Sequence, residues 1–112
     1  MENIIFNELA IRECAVDIGI VHSSEKNAKG RLVQIAREID FIANSGGKKT
    51  YIQSAYALGT EEKAEAENKP FSFTGDSFPK IIVRHDIRKR WYDDNGVLNI
   101  SVIDFLLDDS IL

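Results

Sequence analysis

Two carboxylates stand two residues apart, Glu38 and Asp40 in "REIDFIA", and a glutamine, Gln53, follows in "KKTYIQSAYAL". On an extended strand, residues at that spacing share a face, so Glu38 and Asp40 would point their carboxylates the same way. Hard divalent cations are held by oxygen ligands of this kind. Gln53 adds a neutral carbonyl oxygen from the next strand, and a third carboxylate, Glu8, lies near the start of the chain. The turn between the strands contains "GGKKT". It does not make a phosphate loop, because that pattern needs a further glycine four residues before Gly-Lys-Ser/Thr and a helix after it.

The elements that must position these groups follow from the apolar spacing. Alternation puts Ile35, Ile39 and Phe41 on one face of a strand from about Leu32 to Ala43, with Glu38 and Asp40 on the other. After "NSGG", Ile52 and Ser54 share one face, and Tyr51, Gln53 and Ala55 the opposite one. The two strands make an antiparallel hairpin. Upstream, "AVDIGIV" (15–21) is a β-branched strand, and the polar "HSSEKNAKG" has turn composition. A first helix, with Asn3 as N-cap, would bury Ile4, Ile5, Leu9 and Ile11, and would set Glu8 beside that stripe as a boundary residue reaching water.

Thr60 caps a second helix carrying Glu61 and Glu62 in its first turn and ending before Pro70. "FSFTGDSFPK" reads as a loop, "KIIVRHD" as a strand and "YDDNG" as a turn. "VLNISVIDFLLDD" is a short strand entering a terminal helix, with Leu98, Ile100, Val102, Ile103, Phe105 and Leu106 supplying its burial. The order αβββαββα predicts an α/β domain (mixed α+β), a central mixed sheet flanked by helices, over residues 1–112.

With 112 residues, 44% hydrophobic and 29% charged, the chain has the composition of one globular domain. Its apolar runs are too short for a bilayer-crossing helix, and its N-terminus lacks a signal-peptide pattern, which implies no membrane partner and a cytoplasmic location. A lone cysteine, Cys14, reads as a small buried residue. The net charge of -4 speaks against a general grip on nucleic acid. One basic cluster, "RHDIRKRW", qualifies locally: Arg84, Arg88, Lys89, Arg90 and Trp91 are its nucleic-acid-binding candidates, against a plain reading as decoration of an exposed edge.

The segments "ENIIFNELAIR", "VDIGIV", "REIDFIA", "KKTYIQSAYAL", "FPKIIV" and "ISVIDFLL" together span nearly the whole chain. In that order the chain resembles the restriction-endonuclease-like fold of the PD-(D/E)XK nuclease superfamily. More narrowly, it resembles the C-terminal domain of uncharacterised function that follows the ATPase and winged-helix modules of prokaryotic AAA+ family ATPases. The resemblance implies a parent protein with an ATPase module, of which these residues are an excised domain or a truncated copy. ATP binding would belong to that module, since the chain itself carries no Walker motif. It also implies a site: Asp40 at the metal-binding aspartate, Gln53 at the acid position, Ala55 at the lysine position and Glu8 at the helix glutamate.

Two of those positions depart from what the chemistry needs. A phosphodiester is anionic, and its hydrolysis calls for a cation held by charged oxygens and for help to the attacking water. Gln53 lacks the charge and Ala55 offers no group at all. Lys48 and Lys49 stand about 13 Å or more of extended strand from Gln53, too near the turn to substitute. The expectation is a non-catalytic nuclease-fold domain, with no cofactor of its own, acting in recognition or assembly with its ATPase module. Two alternatives stay open: a weak magnesium- or manganese-dependent nuclease using Glu8, Glu38 and Asp40, or a nucleic-acid-binding module using the basic cluster. Self-association through a surface that the parent would cover is a further expectation.

Overall fold

The computed structural model describes residues 2–56 and 59–112. Helix α1 (Glu2–Ile11) leads into β1 (Ala15–Lys26), β2 (Leu32–Ser45) and β3 (Lys48–Ala55). Helix α2 (Glu61–Asn68) and a 3-10 turn (Lys69–Phe73) follow, then β4 (Lys80–Arg84), β5 (Trp91–Tyr92), β6 (Leu98–Ser101), α3 (Val102–Leu107) and a last 3-10 turn (Asp109–Ile111). The strands form one mixed sheet in the order β1-β2-β3-β4-β6-β5. β1, β2 and β3 are antiparallel neighbours, whereas β3, β4 and β6 run parallel. The mixed α+β architecture expected from the sequence is present. Its order differs by one strand, because Trp91 and Tyr92 pair with Asn99 and Leu98 and so add β5.

Two apolar layers sandwich the sheet. On one face Ile5 and Leu9 of α1 and Val102 and Phe105 of α3 pack with Phe41, Ile52, Ile81, Val83, Leu98 and Ile100. On the other, Phe71 from the first 3-10 turn covers Ile39, Tyr51, Ala55, Ile82 and Val97. The "IIV" of β4 is buried on both faces, as expected of a central strand with parallel neighbours. Two parts of the predicted core lie outside: Ile4 and Ile11 of α1 and Ile103 of α3 are exposed. α1 begins at Glu2, so Asn3 is inside the helix and does not cap it. Cys14 is only half-buried, packed at the margin of the α1 layer.

Local chemistry explains the turns. Ser45 pairs with Lys48, so Gly46 and Gly47 are a two-residue hairpin loop, and their φ values of 57° and 82° are those a type I′ turn demands. Thr60 caps α2 as expected, its side chain accepting the Lys63 N–H at 3.2 Å. Asp93 closes the "YDDNG" turn by accepting the N–H groups of Asn95 and Val97 at 2.9 and 3.0 Å.

The segment "HSSEK", expected as turn, continues β1 to Lys26, and the turn is confined to the residues after it. Its side chains alternate, and that decides the matter. Ser23 and Glu25 face Arg37 of β2, which bonds both and lies 5.2 Å over the Phe73 ring, while Lys69 reaches Glu25 at 3.2 Å. These polar contacts hold a long β1-β2 ribbon to the turn after α2. Twelve residues of strand span roughly 40 Å, against a longest molecular dimension of 47 Å.

Candidate functional site

A bulge in β2 organises the region of Asp40. Asp17 pairs with Ile42 and Gly19 with Ile39, so two steps along β1 are matched by three along β2. The extra residue reverses the alternation of β2. Ile39 and Ile42 both lie against the layer on the α2 side, and Phe41 and Ala43 against the α1 side, where the sequence placed Ile39 and Phe41 together. Gly19 is the residue that permits this. A Cβ there would stand 2.9 Å from Ile42 Cδ1 and 3.1 Å from Ile39 Cβ, because both isoleucines cross over it.

The β2-β3 ladder is regular from Ser45↔Lys48 to Phe41↔Ile52 and ends there. Beyond it side chains bridge the gap. Gln53 Oε1 accepts the Asp40 N–H at 2.7 Å, and Asp40 Oδ2 accepts the Ser54 N–H at 2.8 Å. Ser54 Oγ donates to the same Asp40 oxygen at 3.1 Å, and lies 3.4 Å from Glu2 Oε1. Gln53 Nε2 donates to the Glu67 carbonyl at 3.4 Å, tying β3 to the end of α2. Gln53 and Ala55 are buried, at 4% and 6% exposure, so the acid and lysine positions implied by the resemblance both point into packed protein.

The other predicted ligands do not join Asp40. Glu8 is turned to Arg12, at 3.0 Å, and Arg12 donates onward to the Phe105 carbonyl at 2.7 Å. Glu38 is exposed on the ribbon, opposite Ile20. Among the described residues no three His, Cys, Asp or Glu side chains are grouped so as to hold a metal ion. Of the expected ligands, the structure brings Gln53 to Asp40 and leaves Glu8 with Arg12 and Glu38 on the ribbon.

Three residues that the sequence reading missed do lie near Asp40: Ser54, Glu2 and Glu67. Burial, together with the charges of Asp40 and Glu2, pushes the Glu67 carboxyl above its ordinary value. A signal for Glu67 was present in the sequence. A carboxylate in the last turn of a helix meets the negative end of the dipole, an arrangement with a local cost; α2 has no basic residue there to offset it.

The basic cluster divides. Arg84 is buried, donating to both carboxylate oxygens of Asp86 at 2.8 and 2.7 Å and to Asn99 Oδ1 at 3.1 Å, with its guanidinium 5.1 Å over the Trp91 ring. Arg90 is bonded to Asp108 at 2.6 Å and lies 4.0 Å from Asp104. Arg88 and Lys89 are exposed. Of the five candidates, Arg84 and Arg90 are engaged in ion pairs and Trp91 lies under Arg84, whereas Arg88 and Lys89 are exposed. The nearby stacking of Tyr56 on His85, with centroids 5.1 Å apart, joins the ends of β3 and β4.

No protein-family model matches the chain, and no curated protein matches it.

Proposed function

We propose that this chain is a non-catalytic domain of restriction-endonuclease-like type, of the kind found C-terminal to the ATPase module in AAA+ family ATPases, and that it serves recognition or assembly for that module. One observation carries the reading: the side chains of Asp40 and Gln53 are spent on main-chain N–H groups where the β2-β3 ladder gives out. Glutamine suits that task better than glutamate. Its neutral carbonyl accepts the Asp40 N–H without a new charge beside the Asp40 carboxylate, and its amide donates to the Glu67 carbonyl, which a carboxylate cannot do. Ala55, in the position where the family places a lysine, packs in the apolar layer with Tyr51 and Ile82. The run of an antiparallel triplet, a helix and then parallel strands also supports the reading.

Hydrolysis of a phosphodiester would need charged oxygens free to face a cation, and a base or lysine directed at water. At Asp40, Oδ2 is taken by the Ser54 N–H and hydroxyl, and Ala55 supplies neither base nor lysine. In this reading ATP is bound by the parent's ATPase module and no cofactor is used here. A nicking assay on plasmid and branched DNA with magnesium or manganese tests it. Intact substrate is the expected result, and cleavage that disappears in Asp40→Ala would overturn the reading. A weak metal-dependent nuclease is the second reading; it requires heat of binding in a manganese titration that Asp40→Ala removes.

A further inference from the structure

The two ends of the sheet are finished differently. At one end β5 is two residues long, which leaves little edge to pair. At the other, β1 runs for twelve residues and is bonded to β2 on one side only. Its outer side carries a row of main-chain N–H and C=O groups with no partner strand among the described residues. The central stretch "VDIGIV" has neither the proline nor the lysine that natural sheets place on such edges. The bulge that would turn an edge away sits on β2, so β1 itself is continuous in count. Ile18 and Ile20 stand exposed on it, at 69% and 59%. Both follow Val16 at two-residue spacing on the face that α1 covers.

We propose that this edge pairs with β1 of a second copy of the chain, antiparallel about a two-fold axis passing at Gly19, joining two six-stranded sheets into one. An extended strand is the occupant the edge selects, because it presents main-chain donors and acceptors at the spacing of the edge's own row. The pattern around Gly19 selects the same strand as its own partner. A two-fold axis normal to the sheet keeps each side chain on its face and sets Ile18 opposite Ile20 of the second copy, and Ile20 opposite its Ile18. Four isoleucines then cover one another on the α1 face. Asp17 meets a valine, and within the paired stretch from Ala15 to Ser23 no carboxylate faces a carboxylate. An axis at Val21 would instead set Asp17 against Glu25 twice, a like-charge pairing that destabilises a sheet. An axis at Ile20 would put Ile18 against His22 and expose its apolar surface again. An isologous interface of this kind closes on itself, so the product is a dimer and not a fibre.

The inference goes beyond the functional reading and does not rest on it, because the pairing uses neither Asp40 nor Gln53. Sedimentation equilibrium on the full chain tests it, with twice the 12.6 kDa chain mass expected at high micromolar concentration. Ile18→Lys/Ile20→Lys should weaken association at least tenfold, while Ile103→Lys/Leu107→Lys, on exposed residues of α3, should leave it unchanged. A monomeric wild-type chain, open-ended oligomers, or a dimer that survives the β1 substitutions would each overturn the proposal. Hydrogen exchange on the unmodified chain gives a second measurement that does not depend on how any variant folds. Amide protection across Ala15–Val21 must rise with protein concentration, and protection independent of concentration sinks the pairing.

Discussion

Asp40 and Gln53 exchange roles across the point where β2 leaves β3: the glutamine side chain takes the aspartate's N–H at 2.7 Å, and the aspartate side chain takes the N–H of the next residue, Ser54, at 2.8 Å. Each bond replaces one that the ladder no longer supplies. Gln53→Ala strips the Asp40 N–H of its acceptor, and a part-buried donor left unpaired costs about 1–3 kcal/mol. Urea unfolding should register that loss as a lower midpoint at unchanged slope. Gln53→Glu keeps an acceptor but brings a negative charge beside Asp40, so its cost should be larger at pH 7 than at pH 4. Equal costs at both would count against the arrangement of charges described.

Gly19 answers to the same bulge from the opposite strand. The added methyl of Gly19→Ala meets Ile42 Cδ1 and Ile39 Cβ at 2.9 and 3.1 Å. Overpacking of this kind costs about 1–3 kcal/mol. Because Cδ1 of Ile42 is the nearest of three obstacles, with Ile39 Cβ and Ile42 Cγ1 both at 3.1 Å, Ile42→Val should recover part of the loss when combined with Gly19→Ala. A double-mutant cycle reads the recovery directly: strict additivity would mean that the methyl and Cδ1 do not compete for space.

What the sequence made legible was local. "NSGG" could be read as the turn of a hairpin, Thr60 as a cap and the "IIV" of β4 as the apolar core of a short strand, because each rests on neighbours within a few positions. The bulge was not legible, since the pattern of "REIDFIANS" is equally that of an uninterrupted strand; only the pairing with β1 reveals the extra residue. That single shift moved Ile39 to the other face from Phe41. The site suffered for the same reason. The resemblance set the helix glutamate at Glu8, but the pitch and direction of α1 bring Glu2 to Ser54 and leave Glu8 with Arg12. Composition likewise could not show that Arg84 faces inward, because "RHDIRKRW" carries its counter-ion, Asp86, in plain view but not the geometry that pairs them.

That inward arginine separates two members of one basic cluster. Arg84→Ala would leave Asn99 without its donor and Asp86 without the bidentate partner that holds the loop after β4. Breaking a buried ion pair by removing one side costs about 3–5 kcal/mol; with Asp86 itself exposed, the lower part of that range is expected. Substituting Arg88 and Lys89 to alanine together should change stability by less than about 0.5 kcal/mol each, as for other surface positions. Thermal unfolding of the two variants distinguishes them. If Arg84→Ala were as mild as the surface pair, the cluster would be decoration throughout.

Acid titration should show two opposing contributions. Arg37 above all, then Ser23 and Lys69, hold Glu25 at about 2, below its ordinary value of 4.5. A depressed carboxylate lends stability above its unfolded value, and that stability is lost as pH falls from about 4.5 toward 2. Asp108 behaves alike, lowered to about 2 by the Ser110 hydroxyl and then by Arg90. Glu67 has the opposite sign, because burial and the charges of Asp40 and Glu2 raise it. The folded state binds its proton more tightly than the unfolded state, so stability falls as pH rises from the ordinary value of 4.5 through the raised one. The maximum should therefore lie on the mildly acidic side of neutrality. Glu67→Gln removes the neutral-side decline and raises the melting temperature at pH 7, whereas Glu25→Gln lowers the plateau and flattens the acid limb. Measured by thermal unfolding from pH 2 to 8, a Glu67→Gln variant less stable than wild type at pH 7 would show that Glu67 is not held against the charges of Asp40 and Glu2.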